Sequence, residues 1–380
     1  MTSIRSFSLT SLALAAALNA LAGAATPALA RSYDEEGLRS GMVFTSSNSA
    51  SGNELLVYAR GADGTLALLT RTGTGGLGSG AGLGAQGAVT LSGDGRFVFV
   101  VNAGSNTVTT FELRPQALHL ASVVATGGVH PISVTEQGGV VYVLNDGAAG
   151  NVVGFRNAHG SLQPITGGVG GLSVSGGAGA AQVGLSDRGD TLVVSEKNTN
   201  KLTSYAVNGD GSLGSMVVTA SPGITPFGFA FNRRNNLVVT EAAGGAAGAS
   251  TVSSYRIVPK NPSQPVVVSA AVPDTQSAAC WVAVTPDGRY AYVANTGSST
   301  VSSYRVGAGG QITLVEAAAG DTGSGSAPAD SAVSGDGRHL VVRSGKTFTI
   351  ASFAIDADGN LAAESTFAGL PTTAVGIAAN

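Results

Sequence analysis

An all-β protein, built as a closed ring of equivalent four-stranded sheets, is what this chain predicts, on three observations. The first is a strand pattern that ends on an aromatic residue. It recurs at Tyr58, Phe111, Phe155, Tyr205, Tyr255, Tyr304 and Phe353, at intervals of 53, 44, 50, 50, 49 and 49 residues. The second is the content of each repeat, which is strand-like runs and turn residues without a segment of helical period. The third is that the ends of the array complement one another. The array opens at Met42-Val-Phe44 with the pattern of a second strand, and residues 373–378 supply the pattern of a first strand, as in residues 88–92 and 181–186. A period near 50 residues made of strands alone is the signature of a β-propeller, here seven-bladed. The C-terminal strand is expected to pair into the first blade, which leaves no open seam in the ring.

Taken in order, residues 1–30 read as a secretory signal peptide. Arg5 precedes an apolar stretch over residues 9–25, and Ala28-Leu29-Ala30 offers small residues for cleavage. Residues 31–41 are a lead-in, and residues 42–380 are expected to form a single propeller domain. Residues 280–314 show one repeat most clearly. Trp281-Val-Ala-Val-Thr285 is a first strand, Pro286-Asp-Gly-Arg289 a turn and Tyr290-Ala-Tyr-Val-Ala294 a second strand. The third strand runs to Tyr304, and Gly309-Gly310 leads into the fourth. Asp-Gly pairs recur at 94–95 and 336–337 between first and second strands, and at 63–64, 210–211 and 358–359 between third and fourth. Two-residue hairpins need positive φ, so these acidic residues are turn formers. Second strands such as Phe97-Val-Phe-Val-Val101 lack polar alternation, so neighbouring blades are expected to cover both faces.

The chain has 56 glycines and only 11% charged residues, which suits tight turns between buried strands. Loss of Arg5 with the signal leaves 19 of the 20 basic residues against 23 acidic ones, a formal charge of −4. No basic stripe is available for nucleic acid. With no second apolar run for a membrane, the cleaved protein is expected outside the cytoplasm, periplasmic or secreted. Cys280 is the single cysteine, which excludes an internal disulfide and reads as a small buried hydrophobe. A closed ring needs no second copy, so a monomer is expected.

In a meander every turn reverses direction, so the loops from second to third strand and from one blade to the next open on a common face, here called the loop face. The Asp-Gly turns occupy the opposite, turn face. Interblade loops bring Gln86, His130, Gln182, Phe227, Trp281 and Asp330 nearest the central channel, and the other loops bring Asn102, Asn145, Glu196, Lys197, Glu241, Asn295, Arg343 and Lys346. His130, Glu196 and Glu241 are the candidates for proton transfer, His130 because imidazole titrates near neutrality. The two glutamates stand where other repeats carry Asn, a residue that commonly stabilises turns. Gln182, Lys197, Trp281, Asp330, Arg343 and Lys346 are candidate ligand-binding residues. Glycine-rich connections at 73–87, 166–180 and 317–327 lie at the same rim, as loop filler or as lids.

Gly82-Leu-Gly-Ala-Gln-Gly87 fits a dinucleotide fingerprint by letter, but a strand follows where a phosphate-cradling helix is required. There is no HExxH motif, no GxSxG elbow, no diagnostic calcium loop and no Trp-Asp repeat. No cofactor and no metal are therefore expected.

At Pro286-Asp-Gly-Arg-Tyr-Ala-Tyr-Val-Ala-Asn295, at Thr300-Val-Ser-Ser-Tyr304 and at Gly93-Asp-Gly-Arg-Phe-Val-Phe-Val-Val-Asn102, the chain resembles the seven-bladed lactonase-type propellers. That group holds propeller-type 6-phosphogluconolactonases, 3-carboxymuconate cyclases and YVTN-repeat proteins. The resemblance covers the repeat array, residues 42–378. It implies lactone opening or formation by channel-facing histidine, arginine and glutamate. It also implies a histidine-rich segment before the first strand of the third full repeat and an Asp-Leu-Gly type motif after its second. Gly177-Ala-Gly-Ala-Ala-Gln182 and Ser195-Glu-Lys-Asn-Thr-Asn200 stand there instead, so phosphogluconolactone is not the expected substrate. Two readings follow. One is a diverged or non-catalytic propeller that binds a small molecule, glycan or protein at the channel face. The other is a lactone hydrolase or muconate-type cyclase in which His130 or Glu196 handles the proton and Lys197 or Arg343 steadies a carboxylate or oxyanion.

Overall fold

In the computed structural model, which describes residues 41–115, 117–258 and 263–380, each repeat folds into a four-stranded antiparallel meander. The expected signal peptide and residues 31–40 of the lead-in lie outside the described residues. Blade 1 contains β1 (Met42–Ser46), β2 (Glu54–Arg60) and β3 (Leu66–Gly73), and blade 2 contains β4 (Val89–Leu91), β5 (Phe97–Asn102), β6 (Thr107–Arg114) and β7 (Ala117–Ala125). Blade 3 is β8 (Pro131–Gln137), β9 (Val140–Asn145), β10 (Asn151–Ala158) and β11 (Ser161–Gly170), and blade 4 is β12 (Ala180–Leu185), β13 (Thr191–Glu196), β14 (Lys201–Val207) and β15 (Leu213–Ala220). Blade 5 is β16 (Pro226–Phe231), β17 (Asn236–Glu241), β18 (Thr251–Val258) and β19 (Gln264–Pro273). Blade 6 is β20 (Ala279–Val284), β21 (Tyr290–Asn295), β22 (Thr300–Val306) and β23 (Ile312–Asp321). Blade 7 is β24 (Pro328–Val333), β25 (His339–Ser344), β26 (Thr349–Ile355) and β27 (Leu361–Ala368), after which β28 (Val375–Ala379) returns to blade 1.

The seven aromatic anchors occupy one register on the third strands. Tyr58 lies opposite Val43, Phe111 opposite Val98, Tyr205 opposite Leu192, Tyr304 opposite Ala291 and Phe353 opposite Leu340. All seven are buried, because the face of each sheet packs on the next blade. Truncating such a ring to Ala costs about 3–5 kcal/mol, so one anchor per blade fixes the packing of the whole array. The second strands are buried on both faces as their sequence predicts, β5 along its full length, whereas the outermost strands alternate with solvent, as in β7.

Ring closure takes the predicted form. β28 pairs with β1 through Val43↔Ala379 and Phe44↔Ala378. The Met42 amide donates to Asn380 Oδ1 at 2.8 Å, the Asn380 amide returns a bond to the Met42 carbonyl at 3.1 Å, and Thr45 Oγ1 donates to the Gly376 carbonyl at 2.6 Å. Gly376 has φ +69°, and a Cβ there would lie 2.6 Å from the Val89 amide nitrogen. Only glycine lets β28 approach blade 2 this closely. Among the described residues no helix is long and apolar enough to cross a membrane.

Candidate functional site

An innermost strand has a partner on one side only, so its channel edge carries backbone groups that the sheet does not pair. Three of the predicted channel residues answer those groups. Gln182 on β12 donates from Nε2 to the Phe229 carbonyl at 2.9 Å and accepts from the Phe229 amide at 2.7 Å. Gln86, just before β4, does the same to Val282 on β20, at 2.8 and 3.2 Å. A side-chain amide carries one donor and one acceptor side, as a peptide does, so each glutamine extends the neighbouring strand edge. Asp330 on β24 accepts from the amides of Gly87 and Ser331, at 3.1 and 3.0 Å. From this layer a channel cavity of about 400 Å³, lined by all seven innermost strands, runs to Gln137, Asp187 and Phe231, where the strands enter their turns. Gln86, Gln182 and Asp330 line it, and it extends from them toward the turn face.

At the loop face the channel mouth is crossed by the chain itself. Residues 83–87, the end of the glycine-rich 73–87 connection, reach inward as a strap. The Gln86 amide donates to the Ala181 carbonyl of blade 4 at 3.0 Å. Lys197 Nζ donates to the Gly84 carbonyl at 2.7 Å, and Trp281 Nε1 to the Ala85 carbonyl at 3.3 Å. Under the strap, Lys197 Nζ lies 4.7 Å from the centroid of the Phe227 ring, and Phe227 packs on Trp281 with centroids 5.0 Å apart. Burial holds the Lys197 ammonium below the usual lysine range, and the Asp146 carboxylate opposes that shift. Cys280 is buried beside them, and burial pushes its thiol up to about 11.

The two glutamates lie away from this mouth in fully buried positions. Glu196 accepts from the Ser173 amide at 2.9 Å, from Thr199 Oγ1 at 2.9 Å, from Thr203 Oγ1 at 2.6 Å and from the Ser173 hydroxyl. Glu241 accepts from Ser221 Oγ at 2.8 Å, the Gly223 amide at 2.9 Å, Thr251 Oγ1 at 2.5 Å and Ser253 Oγ at 2.6 Å. The matching Asn102 donates to Thr107 and Thr109 on the third strand and accepts from Thr74 of the interblade loop. Carboxylate and amide therefore do one job, tying the interblade loop to the third strand. The longer glutamate reaches a loop amide as well. This geometry gives both carboxylates a structural task.

His130 has φ +57°, and its amide donates to Asn106 Oδ1 at 2.8 Å. Thr225, with φ +61°, repeats this arrangement against Asn200 Oδ1 at 2.7 Å. The left-handed backbone belongs to the repeat, and the half-buried imidazole is not among the residues lining the channel cavity. Lys346 is exposed on the rim. Among the described residues no group of three or more His, Cys, Asp or Glu side chains is placed to hold a metal ion.

The sequence profile of the family described as "Lactonase, 7-bladed beta-propeller" matches residues 51–172, 151–263 and 249–374. The chain belongs to this lactonase family. Among solved structures, it is similar to the periplasmic gluconolactonase PpgL of Pseudomonas aeruginosa, with 19% identity over 88% of this chain and 98% of that one and a TM-score of 0.62. It is also similar to a functionally unknown protein of Desulfotomaculum acetoxidans, with 14% identity over 89% and 98% of the two chains and a TM-score of 0.67. A protein of Lactobacillus plantarum gives 18% identity over 88% and 98%, with a TM-score of 0.66. At these identities the likeness shows the fold alone. A search of curated proteins finds no match.

In this lactonase propeller one acid and one cation do share a buried environment near the channel. Asp330 is 2% exposed, and burial pushes its carboxyl up to about 6, with the Gly87 amide and Arg343 opposing that shift. Burial also lowers the Arg343 guanidinium from its ordinary value, which Asp330 partly restores. Arg343 Nε is buried and makes no hydrogen bond to the described residues. On β25, Arg343 takes the register of Ser195 and Thr240 in blades 4 and 5, one step before the Asn/Glu position. Those two hydroxyls donate to innermost-strand carbonyls, Ser195 to Phe227 and Thr240 to Gly228 and Cys280. The one-residue offset separates Arg343 from the glutamates with which its loop position groups it.

Proposed function

We propose that this lactonase-family propeller is a diverged member that binds a small ligand at its loop face without hydrolytic turnover, and that it acts outside the cytoplasm after removal of residues 1–30. The observation that carries this reading is the occupied state of the catalytic candidates. Lactone hydrolysis needs a base within reach of a water molecule and donors aimed at the developing oxyanion. Glu196 and Glu241 each spend both carboxylate oxygens on four protein donors. Lys197, at the mouth, is capped by the Gly84 carbonyl.

A second reading, lactone hydrolysis, is favoured by one observation. A carboxyl titrating at about 6 beside Arg343 suits a general base near neutral pH. The two readings part in a direct assay. Hydrolysis of glucono-δ-lactone by residues 31–380 is expected to match the buffer rate, and Asp330→Asn and His130→Ala are expected to leave it there. Acceleration by the unmodified chain that either substitution removes would replace the binding reading with the hydrolytic one.

A further inference from the structure

Two hydrogen-bond donors converge at the loop face on consecutive backbone carbonyls of the strap, Lys197 Nζ on Gly84 and Trp281 Nε1 on Ala85. An anion would answer this ammonium better than a neutral carbonyl does, because both partners of the bond would then carry charge. Phe227 and Trp281 add an apolar wall below the donors, tilted at 55° to one another. Convergent donors beside aromatic surface are the ingredients of a small-molecule site. An indole N–H and an ammonium can only donate, so the ligand has to supply acceptors.

The outer end of the strap, at Gly82 and Gly84, is exposed and has room to move. Gly82 and Gly84 flank Leu83, a Cβ at Gly82 would meet nothing within 4 Å, and Gly84 has φ +57°. Its apolar anchors are the half-buried Leu83, which packs against the cores shared by blades 2, 3 and 4, and the buried Ala85. We infer that residues 83–85 occupy a binding site for a small organic carboxylate, with the Gly84 and Ala85 carbonyls standing where the ligand's oxygens lie, and that the ligand binds by displacing them. This rests on the ligand-binding reading above and names the chemistry of that site. The strap then competes with the ligand, and the apparent affinity is lowered by the fraction of molecules in which the strap is seated.

Trp281 is the single tryptophan of the chain, so its fluorescence reports on this mouth alone. Acetate, benzoate and gluconate are titrated against residues 31–380 and against the Leu83→Ser variant, with folding checked by circular dichroism. Leu83→Ala serves if the serine variant does not fold. The released strap is expected to make Trp281 more open to acrylamide quenching. At least one carboxylate is expected to bind the variant about tenfold more tightly than the unmodified chain. Adding Lys197→Met to the variant is expected to abolish that titration. Equal affinity in the two proteins, a titration indifferent to Lys197→Met, or no saturable binding of any of the three would overturn the inference. Lactone turnover, measured separately, bears on the binding reading and leaves the strap comparison untouched.

Discussion

Gln86 and Val282 exchange two hydrogen bonds across the centre of the ring, so that a side chain leading into blade 2 completes the inner edge of blade 6. The Gln86 amide bonds to Ala181 at the same time, which joins a third blade. A Cβ at Gly228 would lie 2.1 Å from Gln86 Oε1, so blade 5 makes room for the same side chain. One residue thus touches four of the seven blades near the axis, where the sheets themselves make no interblade ladder.

Gln86→Leu is expected to destabilise the protein by about 2–5 kcal/mol, because it leaves the buried Val282 N–H and C=O unpaired and each orphaned group costs about 1–3 kcal/mol. Urea denaturation of the two proteins measures the difference. A loss below about 1 kcal/mol would mean that water takes over the pairing.

Glu196→Gln tests the structural task assigned to that carboxylate. Four donors converge on its two oxygens, and a glutamine turns an NH₂ toward at least one of them. The expected cost is about 1–3 kcal/mol, since the substitution removes the charge from bonds that contribute about 1.5–3 kcal/mol each to a charged acceptor, while the Ser173 and Thr199 hydroxyls can turn to accept from the new NH₂. Unchanged stability would return Glu196 to the list of groups free for chemistry.

The fold was legible because its signals are periodic. Seven aromatics in one register, Asp-Gly turns and complementary ends each state the same ring, and local pattern and global topology agree. The candidate site was legible only in part. Gln182, Asp330 and Gln86 were placed at the channel by topology, but their bonds to neighbouring blades depend on contacts up to 243 residues apart in sequence. Glu196 and Glu241 were visible as departures from Asn, yet the serines and threonines that saturate them are ordinary strand and loop residues. The strap was visible as a glycine-rich tract, and its path across the mouth is decided by Lys197 and Trp281, neither of them near it in sequence.

Asp330 carries a pH dependence whose sign follows from burial. Its carboxyl is raised from 3.8 to about 6 in the folded protein, so the folded state holds the proton more tightly than the unfolded chain. The stabilisation this proton brings is complete below pH 3.8 and is lost as the pH rises through about 6, a change of about 3 kcal/mol. Other carboxylates titrate in the same range, so the comparison is with Asp330→Asn, in which they are unchanged. Urea midpoints at pH 4, 5, 6 and 7 are expected to fall in the unmodified protein relative to the variant across pH 4–6. Parallel curves would place the Asp330 carboxyl in its ordinary range.

Deletion of residues 372–380 probes closure of the ring. It removes β28, and with it the ladder to β1, the bonds between Met42 and Asn380 and the Thr45 bond to Gly376. β1 becomes an unpaired edge, and the inner strands β4 and β24 lose the neighbour between them. In an array whose repeats are stabilised mainly by adjacent repeats, an open end lets unfolding start at the seam and propagate. The truncated chain is therefore expected to lose the single sharp thermal transition monitored by circular dichroism, and a synthetic peptide of residues 372–380 is expected to restore it in part by binding the vacated edge. A truncated protein that melts as sharply and at the same temperature as the intact one would show that the ring holds without its closing strand.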